Sequence, residues 1–330
     1  MRVDWPVEIA GTGASLPTTV VPNQHFIERL ETSDDWIVQR TGIRERRIAQ
    51  PGESTLKFST EAAKLALTDA AMPATDIDLI LTATITPEHP LPSTACELQA
   101  ELGCRTVPAF DLAAACSGFV YGLATAAQFV TQGMARNALV VGAESLTRIT
   151  DMQDRSTAVI FGDGAGAAIL RKSTLPERRI LAVNLGADGT GAKAIWVPAG
   201  GASEPASSKT VNERLHYMRM KGREVYKFAV SKMCEIIETT LADAGESLDR
   251  LSMVIPHQSN MRIIESACEK LKLPLDRVLI NIDRYGNTSA ASIPIAFQEA
   301  RDTGRLKRGD MVMLVAFGAG LTWGSVLLRF

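Results

Sequence analysis

The chain has 330 residues, 46% apolar and 22% charged, and its 35 Lys and Arg against 37 Asp and Glu leave a net charge of −2. That composition excludes disorder, a collagen-like chain and a coiled coil, and it gives no global reason to bind nucleic acid. No stretch approaches the ~18 apolar residues of a membrane span, and the start MRVDWPVEIAG lacks a secretory signal's apolar core. Five Cys without a CxxC pair offer no disulfide framework and no metal site, so a reducing cytoplasm is expected.

In chain order, hydrophobic spacing predicts a helix over Leu56–Ala71, a strand over Leu79–Thr84, a helix over Ser93–Leu102 and a strand over Thr106–Leu112. A helix over Gly118–Gln132 and strands over Ala138–Ala143 and Ala165–Leu170 follow. The second half reads as helix Val225–Ala244, strand Ser252–Pro256, helix Asn260–Leu271, strand Val278–Ile282, helix Ile293–Thr303 and strands Met311–Ala316 and Gly324–Arg329. Gly133, Gly245 and Gly304 each follow a helix, where a C-terminal cap is expected. The alternation is that of an α/β protein, with Val-, Ile- and Leu-rich strands buried on both faces.

The pattern also repeats. A strand at Leu79 leads through a helix and a second strand to Cys116, 37 residues on, and a strand at Leu251 leads the same way to Asn287, 36 residues on. A helix of small residues then runs to a further apolar strand in each case (ALVVGAES, MVMLVAFG). Two similar halves, 1–175 and 176–330, are expected to meet in the polar stretch 171–179, with Cys116 and Asn287 at equivalent helix starts. The Gly-, Ser- and Pro-rich segment Ala199–Ser208 reads as a mobile surface loop.

Three residues at strand–helix junctions could do chemistry. Cys116, in AACSG, sits where a helix N-terminus stabilises a thiolate, yet a lone Cys is as often a small buried apolar residue. Cys96, Cys104, Cys234 and Cys268 read as core. His257 follows the strand SMVIP, at the strand end where α/β sites gather, though a His satisfied within a loop looks the same. Asn287 could be a helix cap. Together a Cys nucleophile with His and Asn donors suits thioester formation and polarisation of a second carbonyl.

The segments SDDWIVQRTGIRERR, AACSGF, IFGDGAGAA, PHQSNMRII, RYGNTSAAS and AFGAGLTWGSVLLRF carry a resemblance that runs nearly end to end. The sequence resembles the β-ketoacyl-acyl carrier protein synthase III family of the thiolase superfamily. The resemblance implies two pseudo-repeated halves in a five-layered αβαβα arrangement and a homodimer. It implies that Cys116 takes the acyl group from acyl-coenzyme A, a substrate and not a cofactor. His257 and Asn287 would stabilise the enolate formed as malonyl-acyl carrier protein loses carbon dioxide. Backbone N–H groups of Cys116 and Ala319 would form the oxyanion hole, and Phe317 would pack behind Cys116.

Coenzyme A contacts are implied at Trp36, Arg40, Thr41, Arg155, Asn260 and Arg262, with Trp36 and Arg155 able to sandwich an adenine and Arg40 and Arg262 able to meet phosphates. Outside that context each reads as surface packing or an ion pair. Lys227, Arg262 and Lys270 belong to a basic cluster suited to an acidic carrier protein. Leu91 stands where some members carry a bulky aromatic, so it is expected to border the acyl pocket; Ser156 and Ala319 stand where Gly is familiar. Rival readings are a same-fold secondary-metabolite enzyme and a non-catalytic acyl-binding protein. A hydroxymethylglutaryl-type synthase would need a Glu general base that no motif here places.

Overall fold

The computed structural model describes residues 1–330. Two five-stranded sheets form the frame. The first runs in the order Val7–Ser15, Asp163–Lys172, Asn137–Ser145, Leu79–Ala83, Ala109–Leu112. The second runs Arg2–Trp5, Arg179–Ala187, Thr322–Arg329, Met311–Gly318, Met253–Pro256. Strand residues alternate between faces, so each sheet feeds two cores. Leu79 and Leu81, with Val312 and Leu314, face a shared central core with helices Gly118–Thr131 and Ser292–Asp302. Ile80 faces outward against helices Thr55–Asp69 and Thr94–Glu101. Val254 and Met313 face helices Gly222–Ala244 and Met261–Leu271. The layers are therefore αβαβα, as the resemblance implied.

The two five-stranded sheets carry matching pairings at one sequence offset. Leu79 pairs with Ala138 and Met253 with Val312, both in parallel, and each residue of the second pair lies 174 positions after its counterpart. Ala115 and Ser289, also 174 apart, each open a 3₁₀ turn with φ of 47° and 49°. The counterpart of Cys116 is thus Ala290, and the expectation that Cys116 and Asn287 are equivalent does not hold. Asn287 lies three residues earlier in its turn. This offset lets both side chains reach one cavity instead of occupying the same place in two.

Two further expectations are corrected, and Ala199–Ser208 is a largely exposed loop as far as Ser207. No strand forms over Val278–Ile282. Only Val278 bridges to Val254, because the Gln258 side chain takes over the ladder. Its amide donates to Leu279 O at 3.0 Å and accepts from the N–H groups of Asn281 and Ile282 at 3.0 and 3.2 Å. Strands Val7–Ser15 and Arg179–Ala187 form where none was predicted. The segment after Ala199 ends in a short helix, Ser208–Asn212, closed by a capping box between Ser207 and Thr210.

Gly142 marks where the halves touch. A Cβ there would stand 2.3 Å from Ala290 O, on the turn that follows Asn287. Gly142→Ala is expected to destabilise the chain by about 3 kcal/mol, the upper end for overpacking a well-filled site. Denaturant unfolding measures this, and an unchanged midpoint would mean that the turn yields freely.

Candidate active site

Three junctions converge on one cavity of about 890 Å³, counting its open mouth. Cys116, His257 and Asn287 line it among mostly apolar side chains. Cys116 lies in the turn between strand Ala109–Leu112 and helix Gly118–Thr131. The Thr322 hydroxyl holds this turn, standing 3.0 Å from Ala114 O and 3.2 Å from the Ser117 hydroxyl. Burial pushes the Cys116 thiol up to about 12, with the nearby Glu144 carboxylate adding to the rise. Burial thus favours the protonated thiol, in opposition to the helix end, which favours the thiolate.

His257 is buried, and its Nδ1 lies 2.7 Å from the Ser292 hydroxyl. The Gln258 N–H donates to that same hydroxyl oxygen at 3.3 Å, so the Ser292 proton is free to go to Nδ1. Nδ1 then accepts, and Nε2 carries the hydrogen on the ring's remaining polar edge. Burial pushes the imidazole down to about 3, so the ring is neutral across the physiological range. It stands edge-on to Phe317, centroids 5.7 Å apart.

Asn287 combines both readings offered for it. Its Oδ1 accepts the Ser289 N–H at 2.9 Å, a cap-like bond. That bond turns the amide NH₂ towards the cavity. Its own N–H donates to Ile160 O at 2.9 Å, tying this turn to the first half of the chain. The site thus presents a thiol and two neutral donors in an apolar enclosure, where such donors act on developing negative charge at full strength.

The other named residues divide by position. Phe317 and Ala319 line the cavity, and Ala319 avoids the left-handed region, so its Cβ costs nothing where Gly is familiar. Trp36, Arg40, Thr41, Ser156, Lys227, Asn260 and Arg262 line an outer groove that shares Ile160, Met220, Gly222, Tyr226 and Asn260 with the cavity. One channel therefore runs from the surface to Cys116. Arg155 stacks on Trp36, its guanidinium 4.9 Å from the ring centroid, so an intercalated ring requires Arg155 to swing aside. The Thr41 hydroxyl is spent on Ile37 O and the Ile43 N–H. Asn260 caps helix Met261–Leu271 and donates to Arg40 O at 2.9 Å, which joins the two walls of the groove. Lys270 is exposed on that helix, outside the groove.

Leu91 does not border the cavity. It is 86% exposed on the loop before helix Thr94–Glu101, and Ile85, Leu146 and Phe161 supply the wall instead. Cys96 is exposed, contrary to the core reading, while Cys104 and Cys268 are buried and Cys234 is half-buried.

Comparison with known proteins shows the family. Residues 110–189 match the family model for 3-oxoacyl-[acyl-carrier-protein] synthase III, and residues 241–330 match the model for its C-terminal part. The chain is 50% identical over 322 residues to the β-ketoacyl-[acyl-carrier-protein] synthase III of Caldanaerobacter subterraneus, covering 98% of this chain and 97% of that one. The chain belongs to the β-ketoacyl-acyl carrier protein synthase III family. It is a condensing acyltransferase of that type, the activity that begins fatty-acid chains. The family's counterpart from Roseiflexus castenholzii is 48% identical over 98% of this chain and 97% of its own. The crystal structure of the Aquifex aeolicus synthase III superimposes with a TM-score of 0.91 at 46% identity, covering 98% of this chain and all of that one.

Within this synthase III site, sequence reading passed over Ser292, Ser289 and Glu144. Ser292 orients His257 from 35 positions away. Glu144 was readable as a single charge ending the apolar run ALVVGAES. It is fully buried, and burial pushes its carboxyl up to about 7 against hydrogen bonds that pull it down.

The buried imidazole also sets an acid limit. His257 binds a proton below 6.5 when unfolded but only near 3 when folded, so the unfolded state gains protons first and stability is lost as pH falls through that window. Between pH 7 and pH 4 the chain is expected to lose roughly 3 kcal/mol more than a His257→Gln variant. Urea unfolding at both pH values measures it, and parallel losses would exclude the linkage.

Proposed function

We propose that this chain joins an acyl-coenzyme A primer to malonyl-acyl carrier protein by decarboxylative Claisen condensation through an acyl-Cys116 thioester. The observation that supports this best is the pair of fixed donors, His257 Nε2–H and the Asn287 NH₂, at the cavity that Cys116 opens into. Acylation places the primer on Cys116, with the backbone N–H groups of Cys116 and Ala319 facing the carbonyl oxygen. The malonyl thioester carbonyl then takes both donors. As carbon dioxide leaves, the electron pair settles on that oxygen as an enolate, whose carbon attacks the acyl-Cys116 carbonyl and expels the sulfur.

In the outer groove, Arg40 and Arg262 meet the phosphates of coenzyme A, and Trp36 with a displaced Arg155 takes the adenine. Lys227, Arg262 and Lys270 face the acidic carrier. The working form is a cytoplasmic homodimer. The edge strand Ala109–Leu112 has one sheet neighbour and an exposed Phe110, which supports pairing with a second copy. No helix is long and apolar enough to cross a membrane.

Intact-protein mass spectrometry tests this reading. Exposure to a panel of acyl-coenzyme A thioesters should add one acyl group, and malonyl-acyl carrier protein should then remove it as a β-ketoacyl product. A stable adduct that malonyl-acyl carrier protein never discharges would leave only acyl binding.

A further inference from the structure

The condensation as described has no partner for the Cys116 proton. Burial favours the protonated thiol, and His257 is a poor acceptor because Ser292 occupies Nδ1 and burial holds the ring neutral. The channel shows no other imidazole at this depth, and its cationic residues lie in the outer groove.

A carboxyl group does stand beside the thiol. Glu144 is the penultimate residue of strand Asn137–Ser145 and has no exposed surface. Everything that bonds it is neutral: the Thr86 hydroxyl at 2.6 Å, the Thr84 hydroxyl at 3.3 Å and the Ile85 N–H at 3.2 Å. It has no ion pair. The charged group on the adjoining strand, Asp163, is turned away onto the Ala49 and Thr147 N–H groups. Of the titratable groups on the elements packed around it, only the Cys116 thiol faces it. The Ser289 hydroxyl, 2% exposed, lines the cavity with Cys116, pulls both the thiol and the carboxyl down, and has no aligned hydrogen-bond partner of its own. A buried hydroxyl without an aligned partner is costly to keep, and here it bears on both an acid and a nucleophile.

We propose that Glu144, acting through the Ser289 hydroxyl, accepts the Cys116 proton during acylation and returns it when the condensed chain leaves. The proposal rests on the acyl-Cys116 reading above. In acylation the sulfur forms its bond to the acyl carbon, the thiol proton passes to the Ser289 oxygen, and the Ser289 proton passes to the Glu144 carboxylate. The bond to coenzyme A sulfur breaks, and that thiolate takes a proton from solvent through the channel. In condensation the carbon–sulfur bond to Cys116 breaks, and the protonated Glu144 returns its proton along the same path. The enzyme ends as it began. Ser289 is the group that touches the reacting sulfur; Glu144 is a positioning residue that works through it.

Alkylation of Cys116 by iodoacetamide tests the relay without any acyl substrate, so its failure is distinct from failure of the condensation reading. In the intact enzyme the rate should fall as pH drops through about 7, where Glu144 takes up its own proton. Glu144→Gln and Ser289→Ala should each slow alkylation at pH 8 by ~10²-fold, the lower range for losing a positioned proton acceptor, and replace the levelling-off above pH 7 with a rate that keeps rising with pH as the thiol itself ionises. The double variant should be no slower than either single one, because one path is cut once. Ser289→Ala carries the test even if Glu144→Gln fails to fold, since Ala115 already holds the same conformation at the equivalent position. A wild-type pH profile in Ser289→Ala, or losses that multiply in the double variant, would overturn the relay.

Discussion

Cys116→Ser is expected to abolish acyl transfer by several orders of magnitude while leaving the fold intact. The sulfur is the better nucleophile only when its proton is gone, and a hydroxyl holds its proton far more tightly than a thiol. The cavity sharpens this difference. Its apolar walls already push the thiol up to about 12, so a hydroxyl there has still less anionic character. The replaced atom touches the channel and not the packed core, so unfolding should change little. Mass spectrometry after exposure to acyl-coenzyme A measures the loss, and peptide mapping of the unaltered chain locates the acyl group. Cys96 is the informative competitor, being the one exposed cysteine. An acyl group found there, or a Cys116→Ser chain that still accepts one, would defeat the assignment.

His257→Ala and Asn287→Ala are expected to separate the two half-reactions. Each removes one preorganised donor from the oxygen that gains charge as carbon dioxide departs, a loss of ~10²–10³-fold, or about 3–4 kcal/mol. Acylation uses other groups: the thiol, its backbone N–H and that of Ala319. Both variants should therefore still form acyl-Cys116 and stall before carbon dioxide release. The effect of Asn287→Ala on geometry is bounded, since its Oδ1 holds only the Ser289 N–H. His257→Ala also leaves the Ser292 hydroxyl without its acceptor, at a cost in stability of about 1–3 kcal/mol that unfolding curves would reveal. The paired measurement is acyl-enzyme mass and labelled carbon dioxide on one preparation. Decarboxylation that survives Asn287→Ala while acylation vanishes would reverse the roles.

Composition and period were enough for the α/β alternation, and the resemblance to the family implied its αβαβα layering. Its strands are apolar runs of β-branched residues and its helices end at Gly, so local chemistry and final structure agree there. Cys116 and His257 were legible for a related reason: each lies between a strand and a helix, where the period changes, whereas Asn287 follows the short helix Ile282–Tyr285 and was legible from its motif. Their motif context then pointed to the family. Val7–Ser15 escaped because its sequence, VEIAGTGAS, is poor in β-branched residues. It is a strand because helix Thr55–Asp69 packs so close that a Cβ at Gly11 or Gly13 would stand 2.4 or 2.3 Å from the carbonyl oxygen of Ala66 or Ala62. That contact spans about fifty residues and leaves no local trace.

The site shows the same division. Sequence alone named the side chains proposed to carry the chemistry: their types and places raised them as candidates, and the family motifs around them supplied the roles. Tertiary structure decided their state. The thiol's protonation depends on apolar walls drawn from both halves, and the hydrogen on Nε2 depends on Ser292 in a different turn. Leu91 lies on the surface of the chain, away from the cavity that Ile85, Leu146 and Phe161 line. Glu144 and Ser289 lie 145 positions apart and come together only where the two halves close on one another, since burial and hydrogen bonding are properties of surroundings that no stretch of sequence contains.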